Sequence, residues 1–133
     1  MPHVIDLTKN TDAYMTSLRT QWQEAKADYA ATLEAKKITF SKGLGHMLDR
    51  RLALYKPIHA YRPGNSLLII KGQLNSLKAN GKAIKEAATA YQARIKGLGG
   101  PAEQELRTIL DTIIKDAGQY DIDYVAYKLS GAE

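Results

Sequence analysis

The sequence predicts an all-α fold, a bundle of four to five helices built around a long coiled-coil-like helical hairpin. Apolar residues recur at steps of three and four over long stretches, which is the spacing of one face of an α-helix. Glycine and proline clusters separate these stretches. The 133 residues are 44% hydrophobic and 25% charged, which fits one globular domain. Residues 1–11 are expected to form an N-terminal arm.

The first two predicted helices cover residues 12–40 and 44–56. Asp12 is a residue type that caps helix N-termini, and one apolar stripe follows it: Met15, Leu18, Trp22, Ala25, Tyr29 and Leu33. Gly43 and Gly45 predict a break. Pro57 is expected to end the second helix because proline lacks an N–H donor and disfavours helix in the residue before it.

The third predicted helix, residues 65–97, carries the most regular pattern. We call its large apolar positions the apolar seam: Leu67, Ile70, Leu74, Leu77, Ile84, Tyr91 and Ile95. A sustained repeat of 3.5 residues is typical of helices that pack along a companion helix, and residues 12–40 are the expected companion. Asn80-Gly81 resembles a helix stop and leaves two joined helices possible. The repeat keeps its phase through Gly81, which favours one continuous helix.

Two more helices are predicted after the cluster of glycines at 97–100. Pro101 suits the first turn of a helix over residues 101–117, and Glu103 and Glu105 complement the positive end of its dipole. A short helix over residues 121–130 completes the bundle.

Charge is unevenly distributed along the chain. Residues 1–35 carry a net charge of −2, residues 36–96 carry +11 and residues 97–133 carry −4. Eight cations of the central segment form what we call the basic stripe, five of them on one side of the third helix and three before it: Lys71, Lys78, Lys82, Lys85, Lys96, Arg50, Arg51 and Arg62.

Two interpretations of the basic stripe compete. In the first, the lysines cover apolar surface with their stems and meet acidic residues of neighbouring helices. The expected acidic partners are Glu24, Asp28, Glu34, Glu103 and Asp111. In the second, the stripe is exposed and binds phosphates. The first is favoured because charge rows on helices are usually solvated faces.

Catalytic and metal-binding patterns do not stand out from the background. His46 and Asp49 share a helix face, but a metal site needs three or four protein ligands. Asp121-x-Asp123 is better explained as a helix start. The glycines at 97–100 lack the Lys-Ser/Thr of a phosphate loop. We therefore expect no enzyme activity, no metal and no cofactor.

These observations predict a non-enzymatic helical interaction module that binds a protein partner or itself through the apolar seam and its charged flanks. An adaptor, an immunity-type inhibitor and an assembly factor all fit this prediction. The alternative is a sequence-nonspecific nucleic-acid-binding protein that uses the basic segment 36–96. The longest apolar run, 67–70, is too short for a membrane span. The absence of cysteine and of a secretory signal favours the cytoplasm.

Overall fold

The computed structural model describes residues 12–40, 43–60 and 67–117 of the chain. Within these ranges five α-helices follow one another, and a π-helical turn extends the last: α1 (Asp12–Asp28), α2 (Ala30–Ala35), α3 (Leu44–His59), α4 (Leu67–Ile95), α5 (Gly100–Thr112) and the turn Ile113–Ala117. The described residues contain no strand, which confirms the predicted all-α class. The expected arm 1–11 and helix 121–130 lie outside the described residues.

The longest helix, α4, is the central element of the bundle. It packs mainly against α3 and also contacts α5 and the π-helical turn, whereas α1 packs against α3 and α5. The predicted hairpin of residues 12–40 with 65–97 is therefore not confirmed. A regular apolar repeat shows that a helix face is covered, but the repeat does not specify which helix covers it.

The hydrophobic core contains the apolar seam wherever its side chains are described. Leu74, Leu77, Ile84, Tyr91 and Ile95 are each at most 2% exposed. Gly81 and Ala88, small residues in phase with the seam, are also buried. Leu67 and Ile70 lie in α4, outside the residues whose side chains are described. Full burial of a large apolar side chain contributes about 1.5–3 kcal/mol, so this face of α4 is a main source of stability.

Asn80-Gly81 does not interrupt α4, which confirms the prediction of one continuous helix. The Asn80 side chain points at α3, where its Nδ2 donates a hydrogen bond to the Met47 carbonyl oxygen over 2.9 Å. Gly81 is buried beside it. A residue pair that resembles a helix stop is thus part of the contact between α3 and α4.

The predicted helix 12–40 is wrong at its C-terminal end. The helical hydrogen bonds pass through Tyr29, the single residue between α1 and α2, but helix ends at Ala35. Lys37 then adopts a left-handed backbone with φ of 57°. No glycine marks this stop, so no strong local signal predicts it.

A Schellman motif closes α2. The Ile38 N–H donates to the Leu33 carbonyl over 2.9 Å, and the Lys37 N–H donates to the Glu34 carbonyl over 3.0 Å. Leu33 is buried and Ile38 is half-buried against the core, which is the apolar contact that accompanies this motif. The chain then runs on to Phe40 without helix.

Helix α3 extends three residues beyond its predicted end at residue 56, so the predicted stop at Pro57 is wrong. Pro57 lies within the last turn, where it removes a single N–H donor. The carbonyl that loses this donor belongs to Ala53, an exposed residue that water can reach. The helix closes with the Ala60 N–H donating to the Lys56 carbonyl over 3.0 Å.

Three aromatic rings join distant parts of the chain in the core. Trp22 of α1 stacks on Tyr91 of α4 with ring centroids 5.6 Å apart. Phe40 packs against both, at 5.4 Å from Trp22 and 4.5 Å from Tyr91. Such pairs contribute about 0.5–1.5 kcal/mol beyond the burial of their area, so this cluster ties α1 to α4 even though their backbones are not close neighbours.

The segment predicted as helix 101–117 is helical throughout, beginning at Gly100 and ending with the π-helical turn. Tyr14 of α1 donates a hydrogen bond from its hydroxyl to the Asp116 carboxylate in that turn. This bond links the first helix to the last described element.

Candidate functional site

Five lysines lie along one side of α4 and its end, and we call this surface the lysine face: Lys71, Lys78, Lys82, Lys85 and Lys96. With about 100° of rotation per residue, the four lysines within α4 fall inside an arc of roughly 60°. Lys71, Lys78 and Lys82 are exposed, Lys85 is half-buried, and Lys96 is exposed in the turn that follows α4. The helical period therefore places the four lysines of α4 on one side of the helix, three of them exposed and one half-buried.

The lysine face is rigid because the neighbouring face of the same helix is in the core. Leu77 and Ile84, both fully buried, lie roughly 100–140° around α4 from Lys71. Four of the lysines, from Lys71 to Lys85, span about 21 Å at a rise of 1.5 Å per residue. The cations thus form a straight row on an element that cannot shift without disrupting the core.

No carboxylate of the described residues lies within 4.0 Å of a lysine-face ammonium group. The ion pairs found among residues 12–40, 43–60 and 67–117 join Arg19 Nε to Asp49 at 3.0 Å and Arg107 to Glu103 at 2.6 Å. Asp111 instead accepts a hydrogen bond from the Gln92 amide. The expectation that the lysines meet acidic residues of neighbouring helices therefore does not hold within the described part of the chain.

The prediction that Arg51 belongs to the exposed basic stripe is wrong. Its side chain is 0% exposed. Its Nε donates to the Tyr55 hydroxyl over 3.1 Å, and its Nη1 donates to the Asn80 Oδ1 over 3.2 Å and to the Leu77 carbonyl over 3.4 Å. Arg51 thus joins α3 to α4 from inside, where no external ligand meets it.

The buried surroundings of Arg51 also act on Tyr55. Burial raises the pKa of the Tyr55 phenol, and the charge and hydrogen bond of Arg51 partly oppose that rise. The phenol stays neutral at physiological pH. Sequence reasoning missed this polar cluster because its members lie on two helices far apart in the chain.

The remaining arginines of the basic stripe do not extend the lysine face. Asn80, which contacts α3, lies roughly 180° around α4 from Lys71. Arg50 is exposed on α3, hence on the opposite side of α4 from the lysines. Arg62 lies outside the described residues. The structure thus brings together the five lysines and separates them from Arg50 and Arg51.

The apolar seam is not an exposed docking surface, contrary to its predicted use in partner binding. The five described side chains of the seam are in the core of the chain itself. The partly buried apolar side chains of other elements, such as Leu52 and Ile109, also pack against that core. Among the described side chains, no leucine, isoleucine, methionine or aromatic residue is fully exposed.

The glycine-rich entry to α5 is occupied by a carboxylate of the chain. Glu103 accepts a hydrogen bond from the Gly99 N–H over 2.8 Å and pairs with Arg107. The Gly99 bond is the main reason that the pKa of Glu103 is lowered, and Arg107 adds to the effect. A shallow depression of about 410 Å³ lies here, but Glu103 is in its lining and repels phosphate.

The residues considered as metal ligands are not assembled. Within the described residues, no group of three or more His, Cys, Asp or Glu side chains could hold a metal ion. Asp49 pairs with Arg19. Asp121 and Asp123 lie outside the described residues.

Searches for similarity give no relative. No protein-family model matches the sequence, and no curated protein and no solved structure is significantly similar to the chain. Among the described helices, none combines the length and the apolar character that crossing a bilayer requires. The function must therefore be argued from the lysine face and the core beneath it.

Proposed function

We propose that this chain is a non-enzymatic interaction module that binds a polyanionic macromolecule on the lysine face. One observation carries the proposal: four lysines lie on one side of a rigid helix and a fifth follows its end, with no carboxylate of the described residues within 4.0 Å of them. Lys82 lies four residues after Lys78 and three before Lys85, and like charges at such spacings repel each other by about 0.2–0.5 kcal/mol per pair. Binding of a polyanion relieves that repulsion, and the release of its counterions contributes favourable entropy.

The hydrophobic core supports binding through the lysine face and does not support the predicted binding through the apolar seam. The five described side chains of the seam are buried, and α4 packs against α3 and α5, so we expect α4 to bind a partner through its charged side chains. Self-association through the seam loses its basis for the same reason. The lysine flank of that seam, predicted as a binding surface, remains available.

The titratable groups with displaced pKa values support a non-enzymatic role. The pKa of Tyr29 is raised by the neighbouring Glu105 carboxylate, that of Tyr55 by burial, and that of Glu103 is lowered by its bond to Gly99. Each displacement follows from burial or from a contact within the fold: Tyr29 with a neighbouring helix, Tyr55 by burial, and Glu103 with the N-cap of its own helix. Within the described part of the chain, none of the three groups faces a second displaced group across a cleft, which is the arrangement expected of acid–base catalysis.

Retention on immobilised heparin tests the proposal. A triple variant with Lys71, Lys78 and Lys82 changed to glutamine should elute at clearly lower salt than the wild type. A matched variant, with Lys26, Lys36 and Lys56 changed to glutamine, loses the same charge from exposed positions on α1, the end of α2 and α3. It should elute close to the wild type. Equal elution of the two variants, or no retention of the wild type at low salt, would contradict the proposal.

A further inference from the structure

We infer that the polyanion is the phosphate backbone of duplex nucleic acid, bound without reading the base sequence. This inference rests on the proposed function and specifies the partner of the same lysine face. Three features of the face support it: its straightness, the kinds of residue between the lysines, and the chemistry of lysine itself.

The straight row of charges matches a stiff, regularly charged rod. Duplex DNA carries one phosphate per 3.4 Å of axis on each strand and has a persistence length of about 150 base pairs. The 21 Å from Lys71 to Lys85 therefore corresponds to about six base pairs. The α4 backbone and the duplex are both rigid before they meet, so the conformational entropy lost on binding is mainly that of the lysine side chains.

The residues between the lysines argue against a single strand. Proteins that bind single-stranded nucleic acid stack the bases on aromatic side chains. Apart from the single acid Glu86, four residues after Lys82, the exposed residues interleaved with the lysines are small or polar: Asn75, Thr89 and Ala93. Tyr91, the aromatic residue of α4, is 2% exposed and is stacked inside the core. The lysine face can thus bind a phosphate backbone by charge, but it has no exposed aromatic ring on which a base could stack.

The same residues argue against an acidic protein. Tight protein interfaces depend on a few large apolar, aromatic or arginine anchors that enter pockets. The lysine face has none of these, and no large apolar side chain is fully exposed elsewhere among the described residues. A surface with several lysines and a single acid, Glu86, remains strongly positive, which suits the binding of a phosphate backbone.

Lysine chemistry makes the binding insensitive to sequence. An ammonium group is a point charge without the planar fork that arginine uses to contact two acceptors of a guanine. Gln92, a residue type that reads adenine, is held by the Arg107 carbonyl and the Asp111 carboxylate of α5. The lysine face therefore positions a backbone and specifies no base.

Fluorescence anisotropy with a labelled 20-base-pair DNA duplex tests this inference. Four or five phosphate contacts predict that log K falls with log salt with a slope between about −3 and −5. Two duplexes of unrelated sequence should bind with equal affinity. The separated strands should bind more weakly than the duplex at every salt concentration.

Single substitutions then locate the contact. Lys78→Gln should make the slope shallower by about one unit, because one phosphate contact is lost. Lys56→Gln removes an equal charge from an exposed site on α3 and should leave the slope unchanged. Far-UV circular dichroism of both variants checks that the helices are intact. An unchanged slope for Lys78→Gln would overturn the inference.

The competing partners are distinguished in the same assay. Equal affinity for duplex and single strand would overturn the choice of a duplex, and tight binding of polyglutamate would favour an acidic protein. Either result leaves the proposed polyanion-binding function in place. If duplex, single strand, polyglutamate and heparin all fail to bind at low salt, both the inference and the proposed function are wrong.

Discussion

The hydroxyl of Tyr91 accepts a hydrogen bond from the backbone N–H of Leu44, the first residue of α3, over 3.1 Å in a buried environment. The first four N–H groups of a helix have no partner within it. Gly43, which precedes Leu44 with φ of 64°, has no side chain that could supply one. A tyrosine of α4 thus completes the N-terminus of α3, and the same ring stacks on Trp22.

Changing Tyr91 to phenylalanine should lower the free energy of unfolding by about 1–3 kcal/mol, since a buried N–H loses its acceptor while the ring remains. Urea denaturation followed by circular dichroism measures the effect. A change below about 0.5 kcal/mol would contradict the role of the hydroxyl as a cap for α3.

Changing Asn80 to alanine should destabilise the chain by about 1–3 kcal/mol, because the Met47 carbonyl and the Arg51 guanidinium each lose a partner. Asn75→Ala is the matched control, an exposed asparagine of the same helix. Because alanine has the higher helix propensity, the control should be neutral or slightly stabilising. Equal effects of the two substitutions in urea denaturation would refute a bridging role for Asn80.

Changing Lys37 to glycine should raise the free energy of unfolding by about 0.5–1 kcal/mol, since the left-handed conformation strains a residue with a Cβ. Lys36, with φ of −91°, is the control. Lys36→Gly should lower stability, because glycine there adds only conformational entropy to the unfolded chain. Thermal unfolding of both variants tests the pair, and a lower melting temperature for Lys37→Gly would contradict the expected relief of strain.

The Glu103 carboxylate should make stability depend on pH in the acid range. Its pKa in the folded chain is lowered, so its contribution is complete above the unfolded value of about 4.3 and is lost as the pH falls through the folded value. The difference in unfolding free energy between the wild type and Glu103→Gln should therefore shrink on acidification. Urea denaturation at several pH values measures it. A difference for Glu103→Gln that is constant with pH would count against this linkage.

The features that the sequence predicted well are those encoded locally. Helix and a buried face for α4 follow from the regular spacing of Leu74, Leu77 and Ile84, and the phase of that spacing through Gly81 predicted one continuous helix. The alignment of the lysines follows from the same helical period.

The features that it predicted poorly depend on distant parts of the chain. The burial of Arg51 requires acceptors on Leu77 and Asn80, which are 26 and 29 residues away. The packing of α4 against α3 is equally non-local. The exposure of the lysines is non-local too, because it depends on where the other helices lie. No spacing rule within one helix contains that information.

Trp22 is the only tryptophan of the chain, and it is 1% exposed at the junction of α1, Phe40 and α4. The tryptophan fluorescence of the protein, excited selectively over that of its tyrosines, therefore reports on a single place in its interior. A ligand that binds the lysines should leave the wavelength of the Trp22 emission maximum unchanged. A ligand that separates α1 from α4 should shift that maximum to the red. The molecule thus contains its own optical probe, which separates surface binding from opening of the bundle.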